Sequence, residues 1–185
     1  MKIYTKSGDK GMTHFYGGKS IPKDHPIVEC YGTVDELNAL IGLVLANPLD
    51  GGTKKILEDL QYRLFDLGAD LAAPFGEPSK SPTEVIRISQ EDVSRLEKTI
   101  DSLSAVLPTL THFILPGGTS TAAMLHFARA VCRRAERLFV KASSSHALNP
   151  QALIFLNRLS DLLFVLGRSV NYQSGTTEWV WPKAE

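Results

Sequence analysis

Five stretches of the chain repeat apolar residues at helical spacing, and polar segments bearing glycine or proline separate them. The first opens at Thr33 with a capping box, the hydroxyl serving the third amide while Glu36 reaches back. Leu37, Leu40, Ile41, Val44 and Leu45 then line one face until Asn47-Pro48. A second helix is predicted over about Lys54 to Leu71, with Leu57, Leu60, Leu64, Leu67 and Leu71 as its stripe, ending before Pro74. From Ala73 to Ile88 come Pro74, Gly76, Pro78 and Pro82 among polar residues, a long surface connection with no chemistry assigned to it. Ser89 caps a third helix through about Ser104, with Asp92 at the capping-box position and Val93, Leu96, Ile100 and Leu103 facing the core; Pro108 closes it.

The fourth stretch follows Phe113-Ile114-Leu115-Pro116-Gly117-Gly118-Thr119-Ser120 and runs to about Lys141. On a helical wheel Met124, Phe127, Ala128, Val131, Cys132, Ala135, Leu138 and Phe139 share one face, and His126, Arg129, Arg133, Glu136 and Arg137 the other. One face is core. The other is a cationic rack whose i,i+4 like charges are mildly unfavourable on a free helix. Either an anion compensates them, or the face is solvated with Glu136 offsetting part of the charge.

The fifth helix begins at Asn149-Pro150, an N-cap followed by proline at the first helical position. Its body, Ala152 to about Tyr172, is nearly continuous in leucine and phenylalanine, which predicts the most buried helix of the set. Asn157, Ser160, Asp161, Arg168 and Asn171 form a polar strip along it, which costs stability unless partners or a ligand satisfy it. Asp161 and Arg168 are either ligand-facing or members of an interhelical polar network. The tail Thr177-Glu178-Trp179-Val180-Trp181-Pro182 caps the bundle or packs on a neighbouring subunit. The expectation is an all-α fold: a five-helix bundle with an ordered, glycine-rich N-terminal phosphate-binding segment. It forms one domain over 1–185, with the N-terminal segment at 1–32, the bundle at 33–173 and a tail at 174–185.

Composition narrows the function. At 185 residues the chain can bury roughly 70% of its unfolded surface without staples. Lysine and arginine total 20, as do aspartate and glutamate, so no global field draws the chain to nucleic acid or membrane, and any anion site is local. Cys30 and Cys132 have no metal-type spacing, and Cys132 falls on an apolar helix face; a reducing cytoplasm fits. The N-terminus lacks a signal-type apolar run, and no stretch is long and apolar enough to span a bilayer. The five histidines are scattered, and no catalytic triad order, zincin motif or Rossmann fingerprint is present. What remains is phosphate-type chemistry in two places. Thr5-Lys6-Ser7-Gly8-Asp9-Lys10-Gly11-Met12-Thr13 combines glycines that let backbone approach a ligand with hydroxyls, amides and lysines, although a flexible Gly/Lys-rich terminus has the same composition. The rack supplies guanidinium forks that match phosphate oxygens and stabilise charge on a leaving group. The chain itself offers no evident nucleophile.

Those blocks, with Lys23-Asp24, Tyr31-Gly32-Thr33-Val34-Asp35-Glu36-Leu37-Asn38, Phe113 to Gly118, Ala128 to Arg137 and Phe155 to Asp161, resemble the signature blocks of PduO-type ATP:cob(I)alamin adenosyltransferases, in order from residue 3 to about 171. The resemblance implies a homotrimer of five-helix bundles with active sites between subunits, each taking ATP and a corrinoid. The cobalt of cob(I)alamin attacks C5′ of ATP, displacing triphosphate and forming adenosylcobalamin, so the nucleophile belongs to the substrate. It further implies that Thr5, Lys6, Ser7, Gly8, Thr13, His14 and Lys23 hold the polyphosphate, with Asp9 and Gly11 shaping that loop. Arg133, Glu136, Arg137 and Asn157 complete the ATP site, and Mg²⁺ arrives on the phosphates. Arg129 pairs with Asp35 across the subunit interface, where residue chemistry alone gives Asp35 a dipole-complementing role in the first helical turn. Phe113 sits at the lower face of the cobalt and keeps out the axial ligand. The protein partners to be considered are a cobalamin reductase and an adenosylcobalamin-dependent enzyme. Many members carry Gly-Glu-Arg where this chain has Gly18-Lys19-Ser20; Lys19 is placed to replace that charge, and its role stays open. A non-enzymatic helical corrinoid carrier or adaptor and an unrelated ATP-dependent hydrolase are the competing readings.

Overall fold

The computed structural model describes residues 2–4, 6, 8–16, 18, 20–73, 75 and 85–181. Among these it contains five helices, α1 (Pro26–Leu45), α2 (Gly51–Ala72), α3 (Gln90–Ser104), α4 (Ser120–Ser143) and α5 (Pro150–Gln173), preceded by two short strands, β1 (Met12–His14) and β2 (Ser20–Pro22). The helices pack in the order α2, α1, α4, α5, α3, so that α1, α4 and α5 each have a helix on both sides. Leu37, Ile41, Leu64, Leu67, Leu125, Cys132, Phe155, Leu159 and Leu163 make up the centre of one continuous core. Fully burying an aliphatic side chain of this size stabilises the fold by about 1.5–3 kcal/mol. The amphipathic stripes read from the sequence are therefore the main source of its stability.

Local chemistry sets the helix ends. Ser89 and Asp92 form the expected capping box of α3, and Asn149 caps α5 with Pro150 at its first position. The start of α1 differs from expectation. The helix begins at Pro26, seven residues before Thr33, and the cap is His25, whose Nδ1 accepts from the Ile27 amide at 3.2 Å. Thr33 lies inside the helix, its hydroxyl donating to the Glu29 carbonyl at 2.9 Å. Likewise α2 starts at Gly51 rather than Lys54, because Asp50 accepts from the Gly52 and Thr53 amides.

The N-terminal segment is also more ordered than periodicity suggests. β1 and β2 form an antiparallel hairpin with Thr13 opposite Ile21. Its loop is tied to the bundle by the Tyr16 amide, which donates to the Ala72 carbonyl at 2.9 Å. Edge contacts run from Phe15 to His25 and from His25 to His146, which follows α4. The hairpin thus sits where α1 begins and α2 and α4 end.

Candidate functional site

Three groups of side chains matter, and each is positioned by a different element. The first is the N-terminal loop. Gly11 has φ +74°, a left-handed conformation that glycine adopts without strain, and it turns the chain back so that its carbonyl accepts the Lys23 amide at 2.8 Å. The Lys23 ammonium lies against Gly8, where a Cβ would come within 2.9 Å of Nζ. Gly8, Gly11 and Lys23 are thereby brought together, with Lys6 (φ +62°) and Asp9 exposed on the same turn and Thr13 and His14 on β1. Thr5, Ser7 and Lys19 lie outside the described residues.

The second group is the outward face of α4. Arg133 and Arg137 are exposed, and no carboxylate among the described residues pairs with either. Arg134 differs, being bonded to Glu36 of α1. Asn157 of α5 donates to Glu136 at 2.9 Å and accepts from Arg158 at 3.0 Å, fixing both ends of its amide. Arg129 is half-buried; its Nε is enclosed without a hydrogen-bond partner. Asp35 is exposed on α1 and does not reach it.

The wheel assigned His126 and Phe127 to the wrong faces. His126 is 3% exposed and Phe127 is 59% exposed. Gly167 on α5 supplies the space, since a Cβ there would come within 3.1 Å of the imidazole. Burial, then the Arg129 charge, lowers the His126 pKa below its ordinary value, so the ring is held neutral.

The third group is aromatic. Phe113, 76% exposed, stands just before α4, and the C-terminal residues return beside it. Leu115 donates its amide to the Trp179 carbonyl at 2.7 Å, and Trp181 donates to the Phe113 carbonyl at 2.8 Å, bridging Ile114 to Val180. The Phe113 and Trp181 rings lie 6.4 Å apart. The tail pairs with this loop within its own chain, and sequence reasoning missed the link because nothing in local spacing joins residues 113 and 181. A cavity of about 290 Å³ opens between Leu115, Pro116, Gly117, Gly118, Glu178 and Trp179.

The polar strip of α5 divides among these groups. Asn157 serves the α4 face, and Asp161 is exposed, 3.7 Å from Arg158. Asn171 accepts from the Thr119 amide and donates to the Gly117 carbonyl, both at 3.0 Å, and Gly118 (φ +99°) leaves no room for a Cβ against it. Arg168 binds Glu178 of the tail. Asp161 and Arg168 therefore share no network.

Chemically, the arrangement offers cations, amides and an apolar wall, with no cysteine among the described residues placed as a nucleophile. Burial pushes the Cys30 thiol up to about 12, with Glu29 adding to it, and raises Cys132 as well, so neither supplies a thiolate. No group of three or more His, Cys, Asp or Glu among the described residues is arranged to hold a metal ion. A cleft of about 660 Å³ between α2 and α3 is a poor alternative for an anion. Its Arg63 is paired with Asp66 and Asp92 and its Arg95 with Glu91, in contrast to Arg133 and Arg137.

Residues 3–170 match the family model described as cobalamin adenosyltransferase. Among similar proteins, the corrinoid adenosyltransferase of Bacillus subtilis is 45% identical over 180 residues, covering 95% of this chain and 89% of that protein. Corrinoid adenosyltransferase PduO of Citrobacter freundii is 38% identical over 185 residues; the chain spans 54% of its length. A solved structure of a variant PduO-type ATP:corrinoid adenosyltransferase from Lactobacillus reuteri, complexed with cobalamin and ATP, superimposes with a TM-score of 0.92 at 37% identity, covering 100% of this chain and 98% of that one.

Proposed function

The chain belongs to the cobalamin adenosyltransferase family, and from that premise we propose that it transfers the 5′-deoxyadenosyl group of ATP to the cobalt of cob(I)alamin, releasing triphosphate and forming adenosylcobalamin. It is a transferase whose nucleophile is the reduced corrinoid. This accounts for a site rich in cations whose two cysteines are both buried with their thiols held protonated. The bond that forms is cobalt to C5′; the bond that breaks is C5′ to the triphosphate oxygen, which departs with the electron pair. The protein's task is to hold both substrates and to stabilise that departing charge.

The observation that carries the reading is the pair of exposed guanidinium groups, Arg133 and Arg137, left without a carboxylate among the described residues on a helix where their mutual repulsion is unfavourable. They face the polyphosphate. The Glu136–Asn157 hydrogen bond orients the adenosine side of the site. Thr5, Lys6, Ser7, Gly8, Thr13, His14 and Lys23 hold the polyphosphate, with Asp9 and Gly11 shaping that loop, and Mg²⁺ arrives with ATP. Phe113 faces the lower side of the cobalt, and its exposure supports a role toward a ligand rather than the core. The active unit is a homotrimer in which Arg129 of one copy meets Asp35 of the next. Arg129 is only half-buried and pairs with no described carboxylate of its own chain, and Asp35 is exposed; both support that pairing. No helix among the described residues is long and apolar enough to cross a membrane, and the protein acts in the cytoplasm. The non-enzymatic carrier reading gains no support from the family matched, whose members are transferases.

The direct test is an anaerobic assay with ATP and chemically reduced cobalamin, following the spectral change as the cobalt–carbon bond forms. Stoichiometric conversion is expected; no change with properly reduced corrinoid would remove the function.

A further inference from the structure

Because Phe113 is mostly exposed, core packing does not fix where its ring stands. Its place depends on the short ribbon that residues 113–115 make with residues 179–181. A two-stranded ribbon is marginal by itself and must be held by something else. The last turns of α5 hold it at three points. Arg168, 8% exposed, donates from Nε to both Glu178 oxygens at 3.1 Å and from Nη2 to the Pro108 carbonyl at 2.9 Å. One guanidinium thus grips both the tail and the segment leading into Phe113. One turn on, Asn171 fixes Gly117 and Thr119, the exit from the same loop.

We propose that the Arg168–Glu178 pair is a positioning latch for the corrinoid, holding residues 177–181 so that Phe113, Trp179 and Trp181 present one preformed aromatic wall. The inference rests on the reading that Phe113 faces the corrinoid. Both latch residues act through the ribbon. Trp179 and Trp181 are exposed, with Trp181 beside Phe113. Broad aromatic faces suit a large, flat, conjugated ring. A wall already in place spares the ordering cost that a loose tail would incur on binding. ATP is held by α4 and the N-terminal segment, so loss of the latch should affect one substrate and leave the other alone.

The chain's two tryptophans are these two residues, so intrinsic tryptophan emission reports on the strap and nothing else. The experiment titrates hydroxocobalamin, which absorbs in the emission range, against the full-length parent and Glu178→Gln, and measures KM for reduced cobalamin and for ATP. In the parent, saturable quenching is expected. In Glu178→Gln, the quenching midpoint and the corrinoid KM should rise about tenfold, with the ATP KM and helical circular dichroism unchanged. Arg168→Lys, which keeps the charge but cannot span Glu178 and Pro108 together, should fall between them. If Glu178→Gln does not fold, the Arg168→Met/Glu178→Met pair, which leaves no unpaired buried charge, takes its place under the same criteria. A corrinoid KM within twofold of the parent, or equal rises in both KM values, overturns the latch. A parent that neither shows quenching nor turns over overturns the corrinoid reading itself, a different failure.

Discussion

Replacing Arg133 with alanine should separate activity from stability. The side chain is exposed and makes no ion pair with any described carboxylate, so its removal opens no cavity and strands no partner. It stands one turn from both Arg129 and Arg137, and each like-charge i,i+4 pair costs a free helix about 0.2–0.5 kcal/mol. Losing two such pairs, and gaining the better helix former, makes Arg133→Ala neutral to about 1 kcal/mol more stable. The transition state behaves differently. A fixed donor aimed at developing charge contributes about 2.7–4 kcal/mol, so kcat should fall by about 10²–10³. The assay is anaerobic turnover with reduced cobalamin and saturating ATP, beside a urea midpoint for the same preparation. Near-parental kcat would remove Arg133 from the leaving-group role. A substantial loss of stability would mean that the arginine is held by contacts the exposed face does not have, and the argument from unpaired charge would fail.

Stability tests probe the scaffold. Asp70 is buried and accepts from Arg87 at 2.6 Å, the Ile88 amide at 2.9 Å and Asn149 at 2.7 Å, joining α2 to the entry of α3 and the cap of α5. Asp70→Ala should cost about 3–5 kcal/mol, read as a lowered urea midpoint. His126 has its folded pKa lowered by burial and by Arg129, so the unfolded chain takes up the proton more readily. Its contribution is complete above the ordinary value of 6.5 and is lost as pH falls from there toward the folded pKa. Midpoints measured from pH 8 to pH 5 should decline on that limb, and His126→Gln should flatten the decline. Gly118→Ala, at φ +99° and against the Asn171 amide, should cost about 1–3 kcal/mol by denaturant titration, with Gly117→Ala costing less. Asp35→Asn should shift sedimentation toward smaller species while leaving monomer helicity intact; an unchanged distribution would place the Arg129 partner elsewhere.

The sequence disclosed the parts of the fold that depend on neighbours a few residues away. The Ser89–Asp92 box and the Asn149-Pro150 start are local hydrogen-bond arrangements, and both stand where they were expected. The start of α1 was concealed for the same reason in reverse. Thr33 and Glu36 imitate a box inside the helix, while the true cap is a histidine, an uncommon residue there; Pro26 at the first position was the available signal. On α4 the wheel found the charged face but could not see Gly167 on another helix, which is what admits His126 to the interior. The three-residue strands of the hairpin are too short to show alternation. For the candidate site, the residue types of the rack and the loop were legible as phosphate chemistry, whereas the ligand came through resemblance. The aromatic strap was not legible, since its partners are separated by 60 residues and more.

The Arg168–Glu178 pair, buried at the arginine and partly exposed at the carboxylate, bears on why so apolar a helix as α5 keeps an arginine in its last turns. Removing a guanidinium and a carboxylate from water costs several kcal/mol per ion, and an apolar pair of the same shape often stabilises a fold as well or better. Stability alone is therefore a weak reason for Arg168 and Glu178. Geometry is a stronger one. Apolar contacts tolerate sliding, but Nε shared between two carboxylate oxygens with Nη2 on the Pro108 carbonyl fixes the tail and the Phe113 segment in a single relation. Asn171 does the same at the far side of the loop with two bonds of opposite sense, which a hydrophobic residue cannot imitate. The polar strip that looked like a cost on a buried helix is, at its C-terminal end, the device that holds exposed aromatic rings in register where no core can reach them.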